Sequence, residues 1–423
     1  MCAKRVKSAW FWLMAAVFTF GLTFSGPRAG KAAEGEIRIG FLAPTTGGWA
    51  QIGRNMIDGF EMYLDQIGHK MAGRKVVFII EDTRAKPPTA VTKARKLILQ
   101  DKADILVGGV LASVGYALAP IAANYKVPYL MPITGSDDLT QRLRSPWVIR
   151  TGYSSSQAPH VFGQYAYEAG YRRVVTFSAD YAYGYEIVGG FQQTFEKAGG
   201  QVIQKIWPPL GALDLAPFVA QINRKADAVF LLLTGPMPAK FFEQYAAAGL
   251  KGKIPLIGDG IVTDEFILPY LGDSALGFVG ALHYSTAIQT PMNEAFVKRH
   301  RAKFNRLPSM HSESTFTTAA WIDQTLQKMG SKFTKEDFVK TFRTVRFESP
   351  RGPVSLDDYG NPVQNIYVRR VEKRALFGYA QPELWNIVIK TYPNISQFWP
   401  WSAEEYLKQP IYTRDWPPCR HCK

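Results

Sequence analysis

Cysteine is scarce, with three in 423 residues, and the positions of those three limit what sulfur chemistry the chain holds. Cys2 lies in the leading segment, while Cys419 and Cys422 form a lone C-x-x-C in the terminal Pro-Pro-Cys-Arg-His-Cys-Lys. A tetrahedral zinc site needs a second ligand pair, which the neighbouring sequence does not supply, and a thioredoxin-type pair belongs at a helix N-terminus after a strand. A small terminal disulfide or two idle thiols is expected. Histidine is also thin: the six, at 69, 160, 283, 300, 311 and 421, show no H-E-x-x-H or paired spacing, so no metal site is indicated. No G-x-x-x-x-G-K-[ST] occurs, and Gly47-Gly48-Trp-Ala-Gln-Ile-Gly53 lacks the G-x-G-x-x-G spacing that seats a pyrophosphate on a helix N-terminus. No cofactor is expected. Leu111-Ala-Ser113-Val-Gly115 lacks the first glycine of a hydrolase nucleophile elbow, which weighs against a secreted hydrolase and leaves no catalytic residue to name.

Long apolar runs are missing too, apart from Ala9–Phe24 in the leading segment. That run follows a basic start and precedes Ser-Gly-Pro and small residues ending Gly30-Lys31-Ala32, the pattern of a secretory signal with cleavage after Ala32. Its 16 residues are slightly short for the alternative, a retained anchor helix. No lipobox cysteine stands at the cleavage point. Export is therefore expected, with 1–32 removed; in a Gram-negative cell the compartment is the periplasm.

What is present is ordinary for a folded protein: 47% hydrophobic and 20% charged residues, with 36 Gly and 27 Pro. That length suits two domains with sizeable cores. The formal charge of +15 raises the question of nucleic acid, but Lys4, Arg5, Lys7, Arg28 and Lys31 leave with the signal, reducing it to +10. The densest basic run beyond them, Arg369-Arg370-Val-Glu-Lys373-Arg374, interleaves an acid and an apolar residue on an expected strand. A solvated face explains it better than a nucleic-acid patch.

From Glu36 the chain alternates short β-rich apolar runs with stretches of helical period, the signature of βαβ units and a parallel sheet. Strands are expected at Ile37–Ala43, Val76–Glu81, Ala103–Gly108 and Val127–Met131. Between them, Met56, Ile57, Phe60, Tyr63, Leu64 and Ile67 recur at helical spacing. A Gly/Ser/Gln break at 151–157 is followed by a second series, with strands at Arg173–Ser178, Gln201–Trp207, Ala228–Leu233 and Ile254–Ile257, and helices at Gly184–Ala198, Leu215–Arg224 and Pro238–Ala248. After Val279–Tyr284, helices at Pro291–Asn305, His311–Met329 and Lys335–Arg343 complete the first lobe. A turn-rich stretch from Ser349 to Asn361 leads into a strand at Ile366–Val371. The last 50 residues, with Trp385, Trp399, Trp401 and Trp416, read as an arm wrapped on the surface.

Ile37-Arg-Ile-Gly-Phe-Leu-Ala-Pro-Thr-Thr-Gly47, Gly59 on a helix, Val77-Phe-Ile-Ile-Glu-Asp82-Thr and Ile105-Leu-Val-Gly108-Gly together resemble the leucine/isoleucine/valine-binding proteins of ABC importers. Ser113…Ala119-Pro, Val127-Pro128-Tyr-Leu-Met-Pro132, Arg150-Thr151-Gly, Asp180-Tyr-Ala-Tyr183-Gly184 and Leu256-Ile-Gly258-Asp-Gly260 extend the resemblance over about residues 36–372. It implies a type I periplasmic binding protein fold: two doubly wound α/β lobes joined by a three-crossover hinge. The lobes would be 36–151 plus 285–352 and 152–284 plus 353–374, with 375–423 as the arm. It also implies no enzymatic activity, a small-molecule ligand in the interlobe cleft, ABC permease subunits as partners and a monomeric state.

In an open α/β sheet the crevice beyond the strand C-termini collects free helix N-terminal amides, which favour a carboxylate. Ala112-Ser113 opens a helix after one such strand, and Ile133-Thr134-Gly135 follows the next. These loops match the family's carboxylate-binding loops, making Ser113, Thr134 and Gly135 candidates; an N-cap role for Ser113 is compatible with this. By resemblance, Tyr183 is the aromatic that closes over the ligand and Asp259 the acid that receives its ammonium. The alternatives are surface packing for Tyr183 and a turn role for Asp259. Trp49, on the first strand-to-helix loop, either lines the cleft and stacks on a ring or is an exposed loop tryptophan. Two departures from the family, Ala112-Ser113-Val114 and Thr234-Gly-Pro236-Met237-Pro238, make the expected pocket more apolar. The ligand is expected to be a branched-chain or aromatic amino acid. The alternatives are an aromatic carboxylate such as a benzoate, or a ligand-sensing role in a signalling receptor.

Overall fold

The β-rich runs pair as two separate twisted sheets in the computed structural model, which describes residues 35–330 and 332–422. The first sheet runs in the order Lys70–Met71, Arg74–Asp82, Glu36–Ala43, Ile105–Gly108, Tyr129–Met131, Val148–Arg150, with all pairs parallel except the short hairpin Lys70–Met71/Arg74. The second has nine strands. Gln201–Ile206, Arg173–Ser178, Ala228–Leu232, Leu256–Asp259 and Val279–Leu282 are parallel, and Pro362–Arg374 then adds antiparallel. Helices cover both faces of each sheet, as buried parallel strands require. The signal segment 1–32 lies outside the described residues.

The chain crosses between the sheets three times: after Arg150, after Leu282, and between Phe342 and Phe347. The long helix Met310–Met329 returns to pack along Ala50–Gln66 of the first lobe. That contact is close because Gly59 has no side chain; a Cβ there would stand 1.9 Å from the Ser312 carbonyl oxygen. Gly59 is thus the contact point of two helices 250 residues apart in sequence, not a loop glycine.

Several expected features change. The helix at Leu215–Arg224 contracts to one turn, Ala216–Val219, because Pro217 suits only a first turn and Asn223-Arg-Lys carries no apolar face. The expected lobe boundary at 352 falls inside a hairpin, since Phe347–Ser349 pairs with Gly352–Leu356 and both belong to the second sheet. The arm is not simply wrapped on the surface. Its segment Glu383–Ile395 is a strand along Pro362–Arg374, with two register shifts, and Trp385 is fully buried. The remainder docks on the second lobe: the Tyr412 hydroxyl donates to Gln193 Oε1 and pairs with His160 Nε2 at 2.7 Å, and Gln192 Nε2 donates to the Pro418 carbonyl. Arg142, in the loop before Val148–Arg150, donates to the Gln409 carbonyl, so the arm touches both lobes. Cys419 and Cys422 form a disulfide. Among the described residues no helix is long and apolar enough to cross a membrane.

Candidate functional site

Strand C-termini of both sheets face each other across a cavity. Four helices point their N-termini at it: Ala50–Gln66 from Trp49, Ala112–Tyr125 from Leu111, Ala182–Lys197 from Tyr181, and Met237–Ala247 just beyond Gly235. None of the four has a side-chain cap. Sequence supplies Trp, Leu, Tyr and Pro where Ser, Thr, Asp or Asn would satisfy the first amides. The amides of Ala112 and Ser113 accordingly find no protein acceptor among the described residues. Thr290 and Thr334, by contrast, cap helices away from the cavity.

The lining carries no Asp, Glu, Lys or Arg. It consists of Trp49, Tyr153, Tyr181, Tyr183, Phe266 and His311 among aliphatic and small residues, including Gly135 and Thr234. The hydroxyls are linked: Tyr153 to Tyr183 at 3.5 Å and Tyr181 to Thr234 at 3.2 Å. Tyr153 is held flat by His283, stacked at 4.8 Å, and His283 Nε2 meets Ser314 at 3.0 Å. Burial raises the pKa of all three phenols well above the ordinary value, so they remain neutral donors. Burial also pushes His311 down to about 3, leaving a neutral imidazole against Phe266, edge-on at 5.5 Å.

A family model described as periplasmic binding protein matches residues 36–375. The chain belongs to that family. The leucine/isoleucine/valine-binding branch is shown by relatives such as the Leu/Ile/Val-binding protein homolog 6 of Brucella melitensis, 28% identical over 352 residues, spanning 82% of this chain and 90% of the relative. Among solved structures, a solute-binding protein of an ABC transporter from Rhodopseudomonas palustris BisB5, in complex with 3,4-dihydroxybenzoic acid, is 31% identical with a TM-score of 0.80, covering 85% of this chain and 98% of the other. A second from R. palustris, in complex with benzoate, is 29% identical with a TM-score of 0.77, covering 85% and 97%. The chain is an ABC-transporter solute-binding protein with the two-lobed fold of this family of periplasmic proteins.

Of the six residues expected in this binding protein's site, the structure brings Trp49, Gly135 and Tyr183 together on the cavity wall. The side chains of Ser113, Thr134 and Asp259 lie off it. Ser113 is the second residue of its helix, its side chain faces solvent, and it stands next to Ala112, which lines the cavity. Thr134 is fully buried and packs toward Gly109 and Gly115 inside the first lobe, while its carbonyl accepts from the buried Arg150 guanidinium. Asp259 sits behind the wall and accepts from the Ile261 amide at 2.9 Å, capping the single turn Gly260–Thr263. Met237 of the departing loop is buried in the second lobe's core, and only Thr234 and Gly235 from that stretch reach the cavity. Tyr153, Tyr181, Phe266 and His311 escaped the sequence reading. Tyr181 and Tyr183 straddle one helix start, a local signal in Asp180-Tyr-Ala-Tyr; the other three become neighbours only through the fold.

Burial pushes the Asp259 carboxyl up to about 7, against the lowering effects of the Ile261 amide and Arg369. Its folded value lies above its unfolded one, so the native state holds a proton that the unfolded chain has lost between about pH 4 and 7. Stability from this group is present below the unfolded value and fades as pH rises through 7. Asp259→Asn keeps the cap and removes this dependence. Chemical denaturation should show wild type gaining on the variant as pH falls from 8 to 4; parallel pH profiles would place the carboxyl in solvent.

Proposed function

We propose that this protein captures a small aromatic carboxylate of the benzoate kind between its lobes and presents it to an ABC permease. The observation that carries this reading is the composition of the cavity wall. It offers rings, neutral hydroxyls and, at Ala112, an unpaired helix N-terminal amide, and no carboxylate to meet an ammonium. A carboxylate on the Ala112 amide is favoured by the helix dipole without any basic side chain. An amino acid would bury its ammonium without a counter-charge, at a cost of several kcal/mol. The aromatic acids bound by the R. palustris relatives agree with this wall.

The amino-acid reading keeps one specific support. Asp259 is buried close enough to Tyr153 and Tyr183 to raise their pKa, and an opening of the wall at Ile261 would expose it. In either reading the protein binds and releases its solute without chemistry, acts in the periplasm as a monomer after loss of 1–32, and closes about the crossovers near 151, 284 and 345.

A thermal-shift panel separates the readings. Benzoate and 3,4-dihydroxybenzoate are expected to raise Tm in a concentration-dependent way, by about 2.7 kcal/mol of added stability at a hundred times Kd. Leucine, isoleucine and valine are expected to leave it unchanged. The reverse pattern would return Asp259 to the ligand's ammonium.

A further inference from the structure

The cleft has a second chamber. Ile52, Gly235, Phe266 and Ile267 line the ligand cavity on one side and, on the other, an outer space. Its walls come from both lobes and are apolar, with Leu213, Ala239 and Tyr270 prominent. The only ionic group there, Lys240, is tied to Glu243 at 3.0 Å. Tyr270 is 80% exposed and Leu213 49%, which leaves an apolar patch open to water at the mouth of a binding cleft. Contiguous exposed apolar surface of this kind marks a place where something binds.

We propose that the ligand is an aryl carboxylate bearing an apolar ring substituent remote from the carboxylate, and that the substituent lies in this outer chamber. The inference rests on the aromatic-carboxylate reading of the inner cavity and names the substrate class more narrowly. Two features favour a part of the ligand over a protein partner as the occupant. The chambers share four wall residues, so the outer space adjoins the inner cavity and a remote ring substituent is the part of the ligand nearest to it. None of Val110, Leu111 and Ala112, the carboxylate end, borders the outer chamber, so the two ends of the ligand face different chemistry.

Calorimetric titration with benzoate, 4-ethylbenzoate and 4-butylbenzoate tests this, using wild type, Ala239→Val and Ala239→Trp. Ala239 borders the outer chamber alone. Affinity should rise about fourfold for each carbon placed in the chamber. Ala239→Trp should erase that gain and Ala239→Val reduce it, while benzoate keeps its wild-type affinity in both and so reports an intact fold. Benzoate binding with no gain from the alkyl chain would overturn the proposal, retain the aromatic-carboxylate reading and leave the apolar mouth to a protein partner. A gain that persists in Ala239→Trp would also overturn it. If none of the carboxylates binds, both readings fall.

Discussion

Replacing Glu313 by Gln is expected to destabilise the protein by about 3–5 kcal/mol, because it strips the counter-charge from a buried guanidinium. Glu313 stands near the start of the helix Met310–Met329 and Arg351 in the hairpin turn of the second sheet. Arg351 Nη1 donates to Glu313 Oε2 at 3.0 Å, and both side chains are fully buried. Arg351 Nη2 donates to the Thr151 carbonyl at 2.5 Å, and Glu313 Oε1 accepts from Thr317. Two crossovers and the first lobe therefore meet at one ion pair. The Thr151–Thr318 contact at 2.7 Å lies beside it. Surface pairs such as Lys408–Glu404, more than two-thirds exposed, should contribute under about 1 kcal/mol. Urea unfolding of Glu313→Gln, Arg351→Met and the pair Glu313→Met/Arg351→Met checks the mechanism. Each single variant should lose most of the stated amount and the double variant should recover much of it, since two apolar side chains leave no buried charge. A double variant as unstable as the sum of the singles would show that packing at the hinge, not charge, dominates.

Gly135→Val is expected to weaken ligand binding on the order of a hundredfold or more while the protein remains folded. Gly135 has an ordinary backbone conformation, so a side chain meets no φ penalty. Its Cβ would stand 2.6 Å from Ser155 Oγ and 3.2 Å from the Tyr183 ring. A valine there must displace Ser155 and the Tyr183 ring, and a displaced Tyr183 disturbs the wall on which the ligand ring would rest. Overpacking of this kind typically costs about 1–3 kcal/mol in the unliganded protein, whereas the bound state loses ring contacts as well. Calorimetry and urea unfolding on the same variant separate the two effects. Unchanged affinity would place the ligand elsewhere.

The alternation of apolar runs was enough to read most of the fold, because buried parallel strands such as Val174–Phe177 and Ala228–Leu232 are nearly continuous apolar stretches with few competing signals. Glu383–Ile395 was missed for the opposite reason. It is an antiparallel strand with one partner, two register shifts and partly exposed residues, so Trp, Lys, Thr and Pro mix without a clean alternation. Arg351 sat inside Ser-Pro-Arg-Gly-Pro, which reads only as a turn, and its partner lies 38 residues away. At the site, loop positions were legible and side-chain directions were not. The loops at 112 and 134 do face the cavity, but Ser113 and Thr134 point elsewhere because one is a helix N2 residue and the other fills the space between Gly109 and Gly115. His311 and Tyr153 reach the wall through burial and stacking that no local pattern announces.

On the proposed reading the cavity wall recognises a ring and a carboxylate and has no place for an ammonium. Calorimetric titration of ligand-free protein at pH 7.5 with benzoate, benzamide, phenylalanine and leucine tests it most directly. Benzoate should bind, benzamide should lose at least on the order of tenfold because the amide donors then face a neutral group, and the two amino acids should give no heat of binding. Tight binding of leucine or phenylalanine with none of benzoate would show that the cavity holds an ammonium and is not built for an aromatic acid.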